Sequence, residues 1–172
     1  VELQPDNVMV SKKIFGNDAN IFCGSFLPEN EGDKPKWVGY FKDNTGKIID
    51  KFDIIMGNPP FQKEQKGKRK GGYGGNITLW EIFIKESLKY FNNNNSYLCF
   101  INPQAWRKPE HELWEEMTQK RQLHFIKIIS EGEGKKQFGA DTKPDSYILQ
   151  NKPIFKNTDI IDETGIKHKL EL

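Results

Sequence analysis

One stretch constrains this chain more than any other: Phe52-Asp53-Ile54-Ile55-Met56-Gly57, followed at once by Asn58-Pro59-Pro60-Phe61. A short, continuous apolar run closed by glycine has the pattern of a parallel strand covered on both faces. Two successive prolines offer no amide donors and cannot continue a ladder, so the backbone must leave the sheet at Asn58. The run therefore predicts a central parallel strand with the tetrapeptide at its C-terminal tip.

The rest of the chain alternates in the same style. Residues 1 to 3 read as the end of a strand and Pro5 to Ile14 as a short helix; Asn20 to Leu27 then looks like a buried strand. Residues 28 to 51 are rich in Gly, Asp, Lys and Asn and predict an excursion with a hairpin around Trp37 to Phe41. Thr78, with Glu81 three residues on, caps a predicted helix to Phe91 with Leu79, Ile82, Phe83, Leu88 and Phe91 near one face. After a polar turn at Asn92 to Asn95 come a strand at Ser96 to Ile101, an amphipathic helix at Pro109 to Lys120, and strands at His124 to Ile129 and Ser146 to Leu149. Alternating short strands and amphipathic helices argue for an open α/β sheet, and such sheets gather ligands at the carboxyl ends of their strands. A length of 172 residues suits one domain with a single core, residues 1–172.

Composition enters where it excludes something. Twelve Phe, five Tyr and four Trp are too many aromatics for a disordered chain, even with 29% charged residues. The formal net charge of +2 does not by itself announce nucleic-acid binding, so placement matters. Residues 62 to 76 concentrate five positive charges and five glycines, which predicts a mobile basic loop. Its Lys66, Lys68, Arg69 and Lys70 are placed to touch phosphates beside the tetrapeptide; a merely solvated loop has the same composition. Cys23 and Cys99 sit in apolar runs and read as small core residues in a reducing compartment. No apolar stretch approaches the roughly 18 to 20 residues of a membrane span, and no secretory pattern opens the chain, so a cytoplasmic location is expected. His111, His124 and His168 lack ligand spacing and no Cys-x-x-Cys occurs, so no metal is expected. The glutamates at 110, 112, 115, 116, 131 and 133 read as solvated charge, and Trp80, Trp106 and Trp114 as packing against the sheet.

The tetrapeptide suits one kind of chemistry. The exocyclic amine of adenine is a poor nucleophile because its lone pair is delocalised into the ring; two acceptors on its hydrogens would localise that pair. The Asn58 side-chain carbonyl and the Pro59 backbone carbonyl, locked by Pro60, supply two such acceptors with little freedom. Phe61 adds a flat surface for a base lifted out of its duplex. A plain strand-ending turn would carry the same residues.

In its context, Asp53-Ile54-Ile55-Met56-Gly57-Asn58-Pro59-Pro60-Phe61 resembles the catalytic segment of the gamma-ordered adenine-N6 DNA methyltransferases, including the methylase portion of Eco57I-like restriction-modification enzymes. The resemblance covers most of the chain. It implies a Rossmann-like S-adenosylmethionine-dependent methyltransferase sheet lacking its first strand and the cofactor's glycine loop. Glu2 is similar to the acidic residue that binds the cofactor ribose, and Asn20-Ile21 to the pair that meets the cofactor adenine, with Asn where the family has Asp. Asn58 would border the cofactor as well as the target. Thr78-Leu79-Trp80 and Phe100-Ile101-Asn102-Pro103 resemble two further segments. Phe138, before Gly139 to Thr142, resembles the late aromatic that helps hold a flipped base alongside Phe61. The implied partner is double-stranded DNA with a flipped adenine, together with a fused or separate specificity domain and nuclease. Two other readings stay open: a methyltransferase of another amino or amide group, such as protein glutamine or RNA guanine, and a catalytically silent, truncated DNA-binding module.

Overall fold

The computed structural model describes residues 1–61, 78–138 and 143–171. Its described residues divide into two compact units, Val1–Lys51 and the remainder from Phe52 onward.

The first unit opens with α1 (Pro5–Phe15), which has Pro at its first turn, Asp6 near its positive end and Lys12 and Lys13 near its negative end. It stops at Gly16, whose φ of 100° lies in the region that favours glycine, with the Gly16 amide bonded to the Lys12 carbonyl at 2.9 Å. The strand expected at residues 20 to 27 shrinks to one parallel bridge between Glu2 and Cys23. Its ladder consists of Glu2 N–H to the Phe22 carbonyl and Gly24 N–H to the Glu2 carbonyl, both 2.9 Å. Ser25 ends it by folding its hydroxyl onto the Leu27 backbone, and Cys23 is exposed rather than buried. Trp37 anchors the unit: its ring stacks on Phe26 at 5.6 Å and its indole N–H donates to the Phe26 carbonyl at 2.9 Å. The expected hairpin at Trp37 to Phe41 is a turn; the antiparallel bridge lies further on, between Lys42 and Ile48. Asp43 decides this, because its carboxylate accepts the Thr45 and Lys47 amides and closes a tight loop there.

The second unit holds a six-stranded mixed sheet. Its strands are β1 (Ile54–Gly57), β2 (Tyr97–Pro103), β3 (Gln122–Ile128), β4 (Pro144–Gln150), β5 (Thr158–Ile161) and β6 (Lys167–Leu170), in the spatial order β1-β2-β4-β3-β5-β6. The pairs β1–β2 and β3–β5 are parallel, while β4 runs antiparallel to both β2 and β3. The helices of this unit are α2 (Leu79–Leu88), α3 (Leu113–Thr118) and α4 (Glu131–Phe138), with a 3-10 turn at Gln104–Arg107. Thr78 is the N-cap of α2, and its hydroxyl bonds the Glu81 carboxylate, so the capping pair read from sequence meets side chain to side chain.

Leu98 and Phe100 on β2, Leu123 and Ile126 on β3, and Tyr147 and Leu149 on β4 form one core with Trp80, Ile84, Trp106, Leu113 and Met117. Trp80 and Trp106 are buried as expected, while Trp114 is half-buried. Among the described residues, the strand expected to be central and doubly covered is paired on one side only. Ile55, in register with Leu98, packs against the core, but Ile54 and Met56 remain 59% and 73% exposed. Cys99, opposite Met56, is half-buried in β2 with its thiol free.

Candidate functional site at the carboxyl edge of the parallel pair

Because Gly57 is in register with Phe100, the chain leaves β1 at Asn58 beside the last residues of β2. Pro59 is buried and fixes the exit, whereas Asn58 and Pro60 are exposed and Phe61 is half-buried. The Asn58 side-chain amide bonds no described side chain or backbone group, and the residue is exposed. An anchored proline between two exposed positions presents the Asn58 side-chain carbonyl and the Pro59 carbonyl on a rigid frame. Those acceptors and the neighbouring Phe61 ring suit a flat molecule bearing an NH2 group.

In the first unit, Glu2 lies on the bridge to Cys23, close in the chain to Asn20 and Ile21. Its Oε1 accepts the Gln4 amide at 2.9 Å and the Asn7 side-chain amide at 3.4 Å. The Gln4 bond is the main reason that its carboxyl is held below the ordinary value, with the Asn7 side chain and the Leu3 amide adding to it against a desolvation penalty. Asn20 is exposed, and the Ile21 carbonyl accepts the Tyr40 hydroxyl at 3.3 Å. Glu2, Asn20 and Ile21 therefore share one unit, with an ionised carboxylate among them.

Phe138 is the last residue of α4 and is half-buried. Lys66, Lys68, Arg69, Lys70 and Gly139 to Thr142 lie outside the described residues. Among the described residues no three His, Cys, Asp or Glu side chains converge as metal ligands, and no helix is long and apolar enough to cross a membrane.

The structure adds a cluster that sequence reasoning missed. At the carboxyl end of β2, Asn102 pairs with Asp145 across the antiparallel ladder. Asp145 is 0% exposed, and Arg107 on the 3-10 turn reaches it with Nε at 2.9 Å from Oδ2. Burial pushes the Asp145 carboxyl up to about 7, against the downward pull of Arg107. Beneath it, the Tyr147 hydroxyl is buried without a hydrogen-bond partner, which also raises its pKa, and the ring packs on Trp106 at 5.7 Å. The signal was present as Trp-Arg-Lys just past the Asn-Pro of β2, but its acidic partner lies on a distant strand. His111, by contrast, is structural: it stacks on Trp80 at 5.6 Å and accepts the Leu113 amide at 3.2 Å.

The six-stranded mixed α/β sheet fits the Rossmann-like fold of methyltransferases. The chain belongs to the Eco57I restriction-modification methylase family, whose model matches residues 7–138. Three solved structures are similar. One, described as a type I restriction-modification complex, shares 15% identity over 66% of this chain and 24% of its own, with a TM-score of 0.50. A modification subunit of a putative type I restriction enzyme from Vibrio vulnificus YJ016 shares 17% identity over 66% and 25%, at 0.49. The ATP-dependent type ISP enzyme LlaBIII, bound to DNA, shares 15% identity over 88% and 13%, at 0.47. The chain thus spans about a quarter of the length of the first two. At these identities the likeness is one of fold. No curated protein sequence matches the chain.

Proposed function

We propose that this chain is part of a DNA methyltransferase domain, spanning both units, that transfers a methyl group from S-adenosylmethionine to adenine N6 in duplex DNA within a restriction-modification system. The observation that carries the proposal is Asn58-Pro59-Pro60-Phe61: an unpartnered, exposed Asn58 amide next to a buried proline, at the carboxyl tip of a parallel strand. Membership of a restriction-modification methylase family supports DNA as the substrate.

The described residues fit one end of the cofactor. Glu2, an ionised carboxylate, suits the ribose hydroxyls; Ile21, with Asn20 beside it, suits the adenine ring. When bound, S-adenosylmethionine supplies an electrophilic methyl on a sulfonium centre. Asn58 Oδ1 and the Pro59 carbonyl accept the two N6 hydrogens of a flipped adenine and turn the nitrogen lone pair toward that methyl. Phe61 stacks on the flipped base, with Phe138 as a second aromatic, and so replaces part of the stacking lost from the duplex. Lys66, Lys68, Arg69 and Lys70 contribute phosphate contacts, and sequence selection comes from a fused or partner specificity domain, alongside a nuclease. No metal enters this scheme.

The test is transfer of labelled methyl to duplex DNA by the full protein that carries this chain, with Asn58→Ala as control. The expected product is N6-methyladenine, lost in the variant while its unfolding free energy stays within about 0.5 kcal/mol of wild type, because Asn58 is a surface residue. Label found in protein or RNA overturns the proposal.

A further inference from the structure

A pocket of about 430 Å³ opens beside the site, lined by Pro103, Gln104, Ala105, Arg107, Lys108 and Lys143. Three of these six residues are cations and none is an acid. The volume lies in the range of sites that take a molecule rather than a lone ion. The carboxyl end of β2 and the start of β4 bring the lining together, since Pro103 and Pro144 are in register.

The three cations differ in freedom. Arg107 Nε lies 2.9 Å from Oδ2 of the fully buried Asp145 without hydrogen-bond alignment, and a second nitrogen, Nη2, donates to Gln104 Oε1, which leaves Nη1 without a partner among the described residues. A guanidinium fixed in this way loses little entropy when it meets an anion, and its remaining donors suit phosphate geometry. Lys108 is exposed and makes no ion pair among the described residues. Lys143 is shared with Glu163, at 3.2 and 3.3 Å from the two carboxylate oxygens, on partly exposed side chains. Such a pair contributes little by itself and yields to a stronger anion.

Location selects the anion. Strand spacing and rise place Asn58 and Pro103, on neighbouring parallel strands, on the order of 10 Å apart. One DNA strand offers a phosphate about every 3.4 Å of helix axis, so a backbone strand with one base at Asn58 has phosphates at the distance of this pocket. We propose that Arg107, Lys108 and Lys143 form a docking site for the sugar-phosphate backbone of the DNA strand flanking the target base. The inference rests on the proposed DNA substrate but not on methyl transfer to adenine.

The experiment is a salt titration of duplex binding by fluorescence anisotropy, using the full protein and two 20-base-pair duplexes of unrelated sequence. Each phosphate contact contributes about 0.9 to the slope of log affinity against log salt. Lys108→Ala should lower that slope by about 0.9 and weaken both duplexes by equal factors. Glu163→Gln, which releases Lys143, should change binding in the opposite direction, with tighter association and a steeper slope. That gain does not arise from a misfolded variant. Because binding is read without cofactor, a protein that binds in this pattern but leaves adenine unmethylated refutes the function above and keeps the docking site. Unchanged slopes in both variants, a loss confined to one duplex sequence, or a pocket that binds free deoxyadenosine monophosphate while the wild type binds no duplex would each overturn the inference.

Discussion

Asp145 should make this protein less stable as pH rises, and Asp145→Asn should remove that dependence. The carboxyl is 0% exposed and faces four groups of relevance: Arg107 at 2.9 Å, the Trp106 indole, the buried Tyr147 hydroxyl on its own strand, and the negative charge of Glu163. Burial wins over Arg107 and raises the carboxyl from an ordinary 3.8 to about 7. The folded chain therefore keeps a proton that the unfolded chain has released between about pH 4 and pH 7. With more protons bound in the native state, unfolding free energy falls with rising pH by up to about 1.4 kcal/mol per pH unit in that window. From pH 5 to pH 8 the wild type should lose about 3 kcal/mol more than Asp145→Asn, whose amide keeps the volume and does not titrate. In a chain of 172 residues this is a difference of roughly 6–12 °C in the change of Tm. Urea unfolding of both proteins across that range measures it. Parallel pH profiles would refute the reasoning, and a wild type that gains stability relative to the variant would mean that Arg107 holds Asp145 ionised.

Trp80, 1% exposed in the centre of the core, should cost about 3–5 kcal/mol when replaced by Ala, read from chemical denaturation. Gln122→Ala should cost about 1–3 kcal/mol, because it strands the Phe155 and Lys156 amides that donate to Gln122 Oε1 at 2.9 and 3.0 Å. Amide exchange at Phe155 and Lys156 should then accelerate more than at Leu98. Phe61→Ala should lower kcat/KM for duplex DNA by the stacking it removes, about 1–3 kcal/mol or roughly 5- to 150-fold in steady-state methyl transfer, with no comparable loss of stability.

What sequence could reveal followed from what each element is stabilised by. α1 and α2 carry their own start signals, Pro5 and the Thr78–Glu81 pair, and β2, β3 and β4 are apolar enough to be read in isolation. β5 and β6 were invisible because each has only four residues, and every residue of β6 is exposed. Their stability comes from pairing, with Ile160 opposite His168 and Ile126, and pairing leaves no local pattern. α4 carries no helix signal of its own, because Glu-Gly-Glu-Gly is a poor helix former. It forms with Ser130 accepting the Glu133 amide at its start and Lys127 pairing with Glu133 at 2.9 Å. At the site, Asn58 to Phe61 were legible because a strand and its exit loop are contiguous in sequence. Arg107 and Asp145 were not, since only the antiparallel register of β2 with β4 makes them neighbours.

The position of β4 also dictates an order of assembly. It follows β3 in sequence yet lies between β2 and β3, so neither has a partner on that side until residue 150 has been synthesised. A nascent chain ending near Ile129 would carry one open edge of β2 and both edges of β3, free to pair with other chains. Sheet assembly is thus a late event on the ribosome, and arrest just short of Pro144 should yield a protease-sensitive, chaperone-dependent species in which the Asp145 half of the buried contact with Arg107 does not yet exist.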